Sequence, residues 1–236
     1  MTAPESAENI APLHLASEPA PKKKPSRRDE IVTAAAQFFA ERGYHDVGMR
    51  DVAEAVGIRG ASLYNHFKSK EEILFEIALI VVRSSVDGYM TVLDEPGTPA
   101  ERLAALSRGH VIHVASRRVE YRVVWTEVKA LSTEHRRTVD DYMRYYQRRV
   151  RDVVMAGARK GEFKVVNPRR ASVALMDMIN GISGWFTPSM DCDELADDYI
   201  RFGIGGVLHY DGDMDDLCAT ATRMTDAMGF VAPRAS

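Results

Sequence analysis

Apolar positions recur with helical spacing through most of the chain. Ile31, Ala35, Phe38 and Phe39 follow the i, i+4, i+7, i+8 spacing of one buried stripe, and Gly43 ends that stretch in the usual C-terminal place. No segment shows strand-length alternation of apolar and polar residues bounded by hairpin turns. The pattern therefore predicts an all-α fold.

Two short helices are predicted after the first one. The second ends at Gly57, and the third runs from about Gly60 to Phe67. The inward positions of the second helix are Val52, Ala53 and Val56. Three short helices with a tight glycine turn between the second and third predict a helix-turn-helix unit.

A long fourth helix is predicted to follow directly. Ser69 as N-cap and Glu72 three residues later form the pattern of a capping box, and the helix should run to about Leu93. "DEPGTPAE" then breaks the chain. Further helices are predicted at about 98–116, 118–131, 134–161, 168–186 and 193–208.

Four regions follow from these patterns. Residues 1–25 are rich in Ala, Pro, Glu and Ser without periodicity, and predict a disordered arm with a basic end. This arm is either a solubilising tail or a source of phosphate and minor-groove contacts. Residues 26–70 form the helix-turn-helix domain and 71–210 a helical second domain. Residues 211–236 predict an acidic tail with at most one weak helix, near 214–228.

Charge is unevenly distributed along the chain. The formal net charge is -3, but residues 22–70 carry ten Lys or Arg against six Asp or Glu. From residue 190 to the end, ten acidic residues face three basic ones. This separation indicates that only the N-terminal part meets a polyanion.

Composition points to a protein of the cytoplasm. Hydrophobic residues make up 45% and charged residues 28% of the chain, which is typical of globular proteins. No apolar run approaches the roughly 20 residues that span a bilayer, and no secretory signal is recognised. Two cysteines, Cys192 and Cys218, are too few for a disulfide framework and suit a reducing compartment.

Over Arg27 to Glu72 the sequence resembles the TetR family of one-component transcriptional repressors. The resemblance rests on "AAAQFFAERGY", "MRDVAEAVGI" and "LYNHFKSKEEI". It implies a homodimer that binds a palindromic double-stranded DNA operator, with C-terminal helices that build a dimer interface and a ligand cavity. Two positions depart from the family pattern. Gly48 and Arg59 stand where the family usually places a Ser or Thr at a helix start, so the phosphate contact at position 48 is in doubt.

The expected DNA-binding residues surround the third helix. They are Arg50, Arg59, Gly60, Ala61, Ser62, Tyr64, Asn65, His66 and Lys70. On a helix in the major groove, Ala61 and Asn65 face outward, where an amide can bond an adenine edge and a methyl can touch a thymine methyl. The family resemblance assigns Tyr64, His66 and Lys70 to phosphates.

Several of these residues have a second interpretation that does not involve DNA. Arg50 could instead pair with Glu54 on the helix surface. Tyr64 could pack on the first helix, and Ser62 could bond its own backbone. His66 could be an ordinary exposed histidine.

The resemblance also implies a cavity lined from the fourth to the eighth helices. The expected ligand-binding residues are Tyr121, Trp125, Tyr145, Met176, Asn180, Trp185 and Phe186. An aromatic or Met at helical spacing is often ordinary core, whereas Asn180 is a polar amide in an apolar stretch and needs a partner. Leu195, Tyr199 and Phe202, with Gly203, Gly205 and Gly206, suit the dimer interface.

The C-terminal half also has a looser similarity to a TetR branch that regulates acyl-CoA, steroid or aromatic-acid catabolism. "VVWTEVKALSTEHRRT" and "MINGISGWFTP" carry it, although Gly184 and Thr187 replace arginines common in that branch. This similarity implies a small-molecule effector of the kind that the branch binds, such as a CoA thioester. The CoA phosphates could meet a basic run made of Arg136, Arg137, Arg144, Arg148, Arg149 and Arg151. A solvated helix face is the default interpretation of that run.

Other chemistry has little support. His110 and His113 have spacing compatible with a shared metal, but no third ligand lies nearby in sequence, and we expect no metal or cofactor. "NGISGW" lacks the spacing of a nucleophile elbow, and neither a phosphate loop nor a dinucleotide fingerprint occurs. The sequence therefore predicts a DNA-binding regulator and not an enzyme. An architectural DNA binder without ligand control and an enzyme acting on acyl-CoA remain as alternatives.

Overall fold

The computed structural model describes residues 26–230 and 232, and the predicted arm over 1–25 lies outside the described residues. In this part of the chain the regular elements are all helical, which confirms the predicted fold class. None of the described helices is long and apolar enough to cross a membrane. The helices are α1 Arg27–Arg42, α2 Met49–Ala55, α3 Gly60–Tyr64, α4 Lys70–Asp87, α5 Pro99–Ser116, α6 Arg118–Glu127, α7 Thr133–Lys160, α8 Pro168–Asn180, α9 Cys192–Ile200 and α10 Met214–Ala227.

The first three helices form the predicted helix-turn-helix unit. The Ser26 side chain accepts from the Asp29 N–H while the Asp29 carboxylate accepts from the Ser26 N–H, so a capping box starts α1. Between α2 and α3, Gly57 has φ +66°, a left-handed conformation that favours glycine. α3 is shorter than predicted, but Leu63 and Phe67 are fully buried as expected.

α4 ends six residues before the predicted end at residue 93. It stops at Asp87, and the chain continues as a 3₁₀ turn from Tyr89 to Asp94 that buries Tyr89 and Leu93. The tighter 3₁₀ turn changes the direction of the side chains, so Tyr89 points into the core of the second domain. At the start of α4, Ser69 caps the helix, but the Glu72 carboxylate accepts from the Lys68 N–H instead of that of Ser69.

The second domain is built around α5, which is buried along most of its length. α4, α7, α9 and α10 all pack against α5 or its neighbours. α8 continues after Asn180 as a 3₁₀ turn over Gly181–Gly184, and α9 continues as a π-helical segment over Arg201–Val207. The predicted helices 168–186 and 193–208 are thus present with altered ends.

The expected acidic tail contains α10, which is part of the core. Leu217, Cys218, Ala221 and Thr225 are buried against the second domain. Asp215, Asp216 and Asp226 lie on the exposed side of the same helix. The weak helix predicted near 214–228 is therefore present, but as an amphipathic helix of the core whose acidic residues occupy its outer face.

Leu217→Ala should destabilise the protein by about 2 to 5 kcal/mol, because it removes a fully buried leucine from the packing of α10. Urea unfolding would measure the loss. Arg223→Ala, on the exposed side of the same helix, is the matched control and should change stability little. Equal stability of the two variants would show that α10 does not contribute to the core.

Candidate nucleic-acid interface and enclosed pocket

The outward face of α3 carries the residues that the sequence predicted for DNA contact. Ala61, Asn65 and His66 are exposed, and Tyr64 is 55% exposed. Gly60 and Ser62 are half-buried. Base and phosphate contacts of these side chains remain predictions, and the geometry presents them together on one surface.

Two arginines flank this face. Arg59 is the N-cap of α3, is exposed and makes no side-chain cap hydrogen bond. Arg50 is exposed at the start of α2, and within the described residues no ion pair joins it to Glu54. Gly48 caps α2 without a side chain, and the Asp51 carboxylate accepts its N–H at 2.6 Å. Gly48 and Arg59, the two departures from the family pattern, therefore both stand at the N-cap of a helix.

Lys70 is committed to a structural role. Its ammonium donates to the backbone carbonyls of Tyr44 and Val47 at 2.7 and 2.8 Å, and to that of His45 at 3.3 Å. It also lies 4.4 Å from the centre of the Tyr44 ring. Since an ammonium has three N–H donors, this geometry disfavours the predicted phosphate contact. Lys70 instead fastens the loop after α1 to the start of α4.

Arg28 fastens the unit on the other side and was missed in the sequence. Its guanidinium donates to the His66 carbonyl at 2.8 Å and to the Glu76 carboxylate on α4 at 2.7 Å. It also stacks 3.9 Å from the centre of the Phe67 ring. One side chain therefore holds together α1, the end of the α3 segment and α4.

A third contact fixes the start of α4 to the second domain. The Glu71 carboxylate accepts from the Ser132 N–H at 2.8 Å and lies 2.9 Å from His135 Nδ1. The His135 ring stacks on Phe75 with ring centres 3.8 Å apart. Partial burial raises the pKa of Glu71, but the hydrogen bonds from Ser132 and His135 outweigh this effect and lower the pKa overall.

A largely apolar pocket of about 80 Å³, partly open to solvent, lies between α4, α5, α6, α7 and α8. Four of the seven predicted ligand residues line it, namely Tyr121, Trp125, Met176 and Asn180. The sequence analysis missed eleven further lining residues, which are Val81, Val82, Ser85, Tyr89, His110, Val124, Tyr142, Met143, Tyr146, Gln147 and Asp177. Trp125 is 47% exposed and stands at the rim.

The other three predicted ligand residues lie elsewhere. Tyr145 faces away from the pocket, where its hydroxyl accepts from Arg149 at 3.2 Å, because it is one residue and thus about 100° around α7 from the inward Tyr146. Trp185 is 47% exposed, and Phe186 is buried beside α1 and α6. Both follow the 3₁₀ turn after α8, which rotates later side chains away from the helical face that carries Asn180.

A buried polar cluster contributes to the wall of the pocket through His110, Tyr121, Tyr146 and Asn180. Asn180 has the partner it required, because its Oδ1 lies 3.0 Å from His110 Nε2. The Tyr146 hydroxyl oxygen lies 3.1 Å from His110 Nδ1, and the Tyr121 hydroxyl oxygen lies 2.9 Å from His113 Nδ1. Within the described residues no group of three potential ligands could hold a metal, so the two histidines belong to this hydrogen-bond cluster.

The cluster is uncharged near neutral pH. Burial lowers the pKa of His110 to about 4 and that of His113 to about 3. Burial also raises the pKa of Tyr121 to about 12 and those of Tyr89 and Tyr146 well above their usual value. The imidazoles are thus neutral hydrogen-bonding groups.

Comparisons with known proteins agree with this architecture. The family description "Bacterial regulatory proteins, tetR family" matches residues 31–77, and "Tetracyclin repressor-like, C-terminal domain" matches residues 96–207. The transcriptional repressor KstR2 of Mycobacterium tuberculosis is 30% identical over 140 residues, which cover 59% of this chain and 70% of KstR2. The chain belongs to the TetR family.

Similarity to individual TetR-family proteins extends over most of the chain. KstR2 of Mycolicibacterium smegmatis is 27% identical over 197 residues, 82% of this chain and 96% of that repressor. The structure of the ketosteroid regulator KstR2 of M. tuberculosis aligns with a TM-score of 0.73 at 26% identity, over 78% of this chain and 96% of that one. AibR in complex with isovaleryl coenzyme A and operator DNA aligns with a TM-score of 0.68 at 25% identity, over 75% and 97%. These relatives are transcriptional regulators and not enzymes.

The basic run of α7 in this TetR-family chain is largely neutralised. Its arginines pair with nearby carboxylates, in the pairs Arg136–Asp140, Arg144–Asp141, Arg149–Asp94 and Arg151–Asp152. These pairs favour the default interpretation of a solvated helix face over a phosphate site.

The predicted interface residues of the TetR-family chain divide into buried and exposed positions. Tyr199 is buried and Phe202 is 57% exposed. An ideal Cβ on Gly203 would lie 2.5 Å from the Leu175 side chain, so this glycine allows α9 and α8 to approach within one chain. Phe202 and the exposed Val173 on α8 are left as outward apolar positions.

The stability of the protein should fall as pH decreases from about 6.5 towards 4. An unfolded histidine binds its proton near pH 6.5, whereas folded His110 and His113 stay neutral down to about pH 4 and 3. The unfolded state therefore binds more protons in this window, and each histidine should remove about 2 kcal/mol of stability between pH 7 and 4.5.

Urea unfolding at both pH values would measure this effect. The double variant His110→Gln, His113→Gln should show a shallower pH dependence than wild type, because glutamine does not titrate. His45→Gln, at an exposed position, is the control and should leave the dependence unchanged. The prediction is wrong if the double variant keeps the wild-type pH dependence.

Proposed function

We propose that this protein is a ligand-responsive dimeric repressor. The α3 surfaces of two protomers bind the half-sites of a palindromic operator, and a small apolar or CoA-thioester effector in the pocket releases the DNA. The relatives support this proposal, since KstR2 is a transcriptional repressor and AibR is described with an acyl-CoA and operator DNA.

One observation carries the proposal: α4 belongs to both functional parts. Its first half buries Ile73 and Ile77 in the same core as Phe39 and Leu63 of the helix-turn-helix unit. Its second half supplies Val81, Val82 and Ser85 to the pocket wall. An 18-residue helix is about 27 Å long, so α4 spans the distance between them as one stiff element.

The size of the pocket suggests how a ligand would act. Its volume of about 80 Å³ is several-fold smaller than the roughly 300–1,000 Å³ of typical small-molecule sites. Binding of an acyl group therefore requires its walls to move, and α4 is one of those walls. A ligand that binds the widened pocket more tightly shifts the population towards the displaced α4.

The contacts at the start of α4 transmit this displacement. Arg28 and Lys70 fix the helix-turn-helix unit to α4, while Glu71 joins α4 to the start of α7. A shift of α4 relative to α7 would therefore carry α3 with it. In a dimer this motion changes the spacing between the two α3 surfaces and removes the match to operator half-sites.

The dimer is expected to form through α8 and the segment after α9. Phe202 and Val173 are exposed apolar side chains there, at 57% and 40% exposure. A two-fold axis through this surface would pair the same side chains of two copies. Sedimentation of the purified protein would measure the expected mass of two chains.

Arg59→Ala should weaken binding to DNA from the upstream region of the protein's own gene. The substitution removes an exposed charge at the start of α3 together with the phosphate contact proposed for it. The slope of log K against log salt concentration should therefore decrease in magnitude by about one per protomer. Fluorescence anisotropy over a salt series would measure both quantities. Arg159→Ala, at an exposed position on α7, is the control. Unchanged affinity for Arg59→Ala would mean that its charge replaces no lost contact.

Acyl-CoA thioesters, with isovaleryl-CoA as the first probe, should release the protein from that DNA, whereas free CoA should not. Trp125→Ala should weaken this response because it removes a residue of the pocket rim, while DNA binding without probe should be unchanged. Trp185→Ala is a matched control, since both tryptophans are 47% exposed and only Trp125 lines the pocket. The repressor proposal fails if the protein does not bind its upstream DNA at low salt. The effector proposal fails if no acyl-CoA or free acid changes that binding.

A further inference from the structure

The Tyr89 side chain lines the pocket and is 1% exposed. Its ring lies between those of His110 and His113, with ring centres 5.3 and 5.2 Å away. Its hydroxyl is fully enclosed, yet it makes no hydrogen bond to any described residue. Buried hydroxyls without a partner are rare, because such a group loses its hydrogen bonds to water on folding and gains none within the protein.

The neighbouring phenol of Tyr146 already has a partner for its proton. Asn180 Oδ1 can only accept, so His110 Nε2 carries the hydrogen of that contact. In neutral His110 the other nitrogen, Nδ1, is then an acceptor, and the Tyr146 hydroxyl at 3.1 Å donates to it.

Tyr121 is committed in the same way through His113. The Ser84 hydroxyl donates to the Ile80 carbonyl, so its oxygen accepts from His113 Nε2 at 2.7 Å. His113 Nδ1 is therefore an acceptor, and the Tyr121 hydroxyl donates to it at 2.9 Å.

The Ser85 hydroxyl donates to the Val81 carbonyl at 2.8 Å within α4, so its proton is committed as well. The oxygens of Ser85, Tyr121 and Tyr146 keep lone pairs that can accept, and these hydroxyls are near enough to influence the pKa of Tyr89 as hydrogen-bonding neighbours. None of them meets the Tyr89 hydroxyl at hydrogen-bond distance and angle, so its proton has no acceptor among the described residues. Among the buried hydroxyls of this cluster, in the described part of the chain, Tyr89 alone keeps an uncommitted O–H.

The surroundings select the kind of group that this hydroxyl can bind. Apolar side chains of α4 and α6, such as Val82 and Val124, also line the pocket. No lysine or arginine lines the pocket among the described residues, and the one charged lining residue is Asp177. A carboxylate would therefore be buried without a cation and would meet a like charge. A neutral oxygen acceptor avoids both costs.

We propose that Tyr89 is a specificity-determining residue, whose hydroxyl donates a hydrogen bond to a neutral carbonyl oxygen in the otherwise apolar part of the effector that enters the pocket. This inference rests on the proposed function, because it takes the pocket as the effector site. It adds that the part of the effector within the pocket carries a ketone, ester or thioester carbonyl and no carboxylate.

The position of Tyr89 also connects the effector with α4. Tyr89 begins the 3₁₀ turn that directly follows α4. An ideal Cβ on Gly109 would lie 2.6 Å from Tyr89 Cβ, so the glycine on α5 lets this turn lie close against it. A hydrogen bond to Tyr89 therefore acts at the end of the helix whose other end holds the helix-turn-helix unit.

Calorimetric titration of the full chain with three matched probes tests the inference. The probes are acetophenone, which has a neutral carbonyl, ethylbenzene, which lacks it, and benzoate, which is charged. Wild type should bind acetophenone more tightly than ethylbenzene and benzoate. Tyr89→Phe should lose roughly tenfold in acetophenone affinity and should bind ethylbenzene as well as wild type or better.

Thermal unfolding provides a readout that separates recognition from structure. Tyr89→Phe removes an unpaired hydroxyl, so its Tm without probe should equal or exceed that of wild type. Tyr146→Phe is the matched control: it leaves His110 Nδ1 without a donor and should lower the Tm. A marked loss of Tm in Tyr89→Phe would contradict an uncommitted hydroxyl.

Two binding results would overturn the inference in distinguishable ways. Equal affinity for acetophenone and ethylbenzene, unchanged by Tyr89→Phe, would refute the role of Tyr89 and leave the pocket as the effector site. Absence of binding of all three probes to wild type, together with no effect of acyl-CoA on DNA binding, would refute the pocket itself.

Discussion

The burial of α4 on two sides is the constraint on which the rest of the structure depends. Its apolar face lies in one continuous core, in which Ile73 and Ile77 are buried together with residues of the helix-turn-helix unit, and Val81 and Val82 together with residues of α5 and α6. The helix-turn-helix unit and this part of the second domain therefore share one core through α4. Because packed cores deform in steps and not continuously, a change at one end of α4 must be accommodated at the other.

The polar groups of the protein follow from this arrangement. Around the start of α4, the charged side chains of Arg28, Lys70 and Glu71 bind backbone carbonyls and N–H groups. Because hydrogen bonds are directional, these contacts fix the orientation of α4 relative to the segments that it meets. Around its end, the groups are enclosed and therefore neutral, with His110 and His113 held uncharged by burial. The same helix thus connects a charged region beside α3 with an uncharged, largely apolar pocket.

Sequence patterns predicted the exposed residues of α3 better than the residues that line the pocket. α3 is a local element, and its exposed residues follow from helical periodicity around Leu63 and Phe67. The pocket is assembled from five helices that are distant in sequence, so a shift of one residue moves a side chain by about 100°. Tyr145 was chosen where Tyr146 faces inward, and Trp185 lies beyond a 3₁₀ turn that no composition signal indicated.

The sequence by itself determined the all-α class, the helix-turn-helix unit, the turn at Gly57 and the start of α4 at Ser69, because these depend on local periodicity, capping and glycine conformation. Tertiary structure alone decided that Lys70 binds carbonyls, that α10 is core and that Tyr89 keeps an unpaired hydroxyl. These features depend on which distant groups meet in space. A sequence pattern indicates whether a side chain tends to be buried or exposed, but it does not indicate which distant group will contact that side chain in the folded protein.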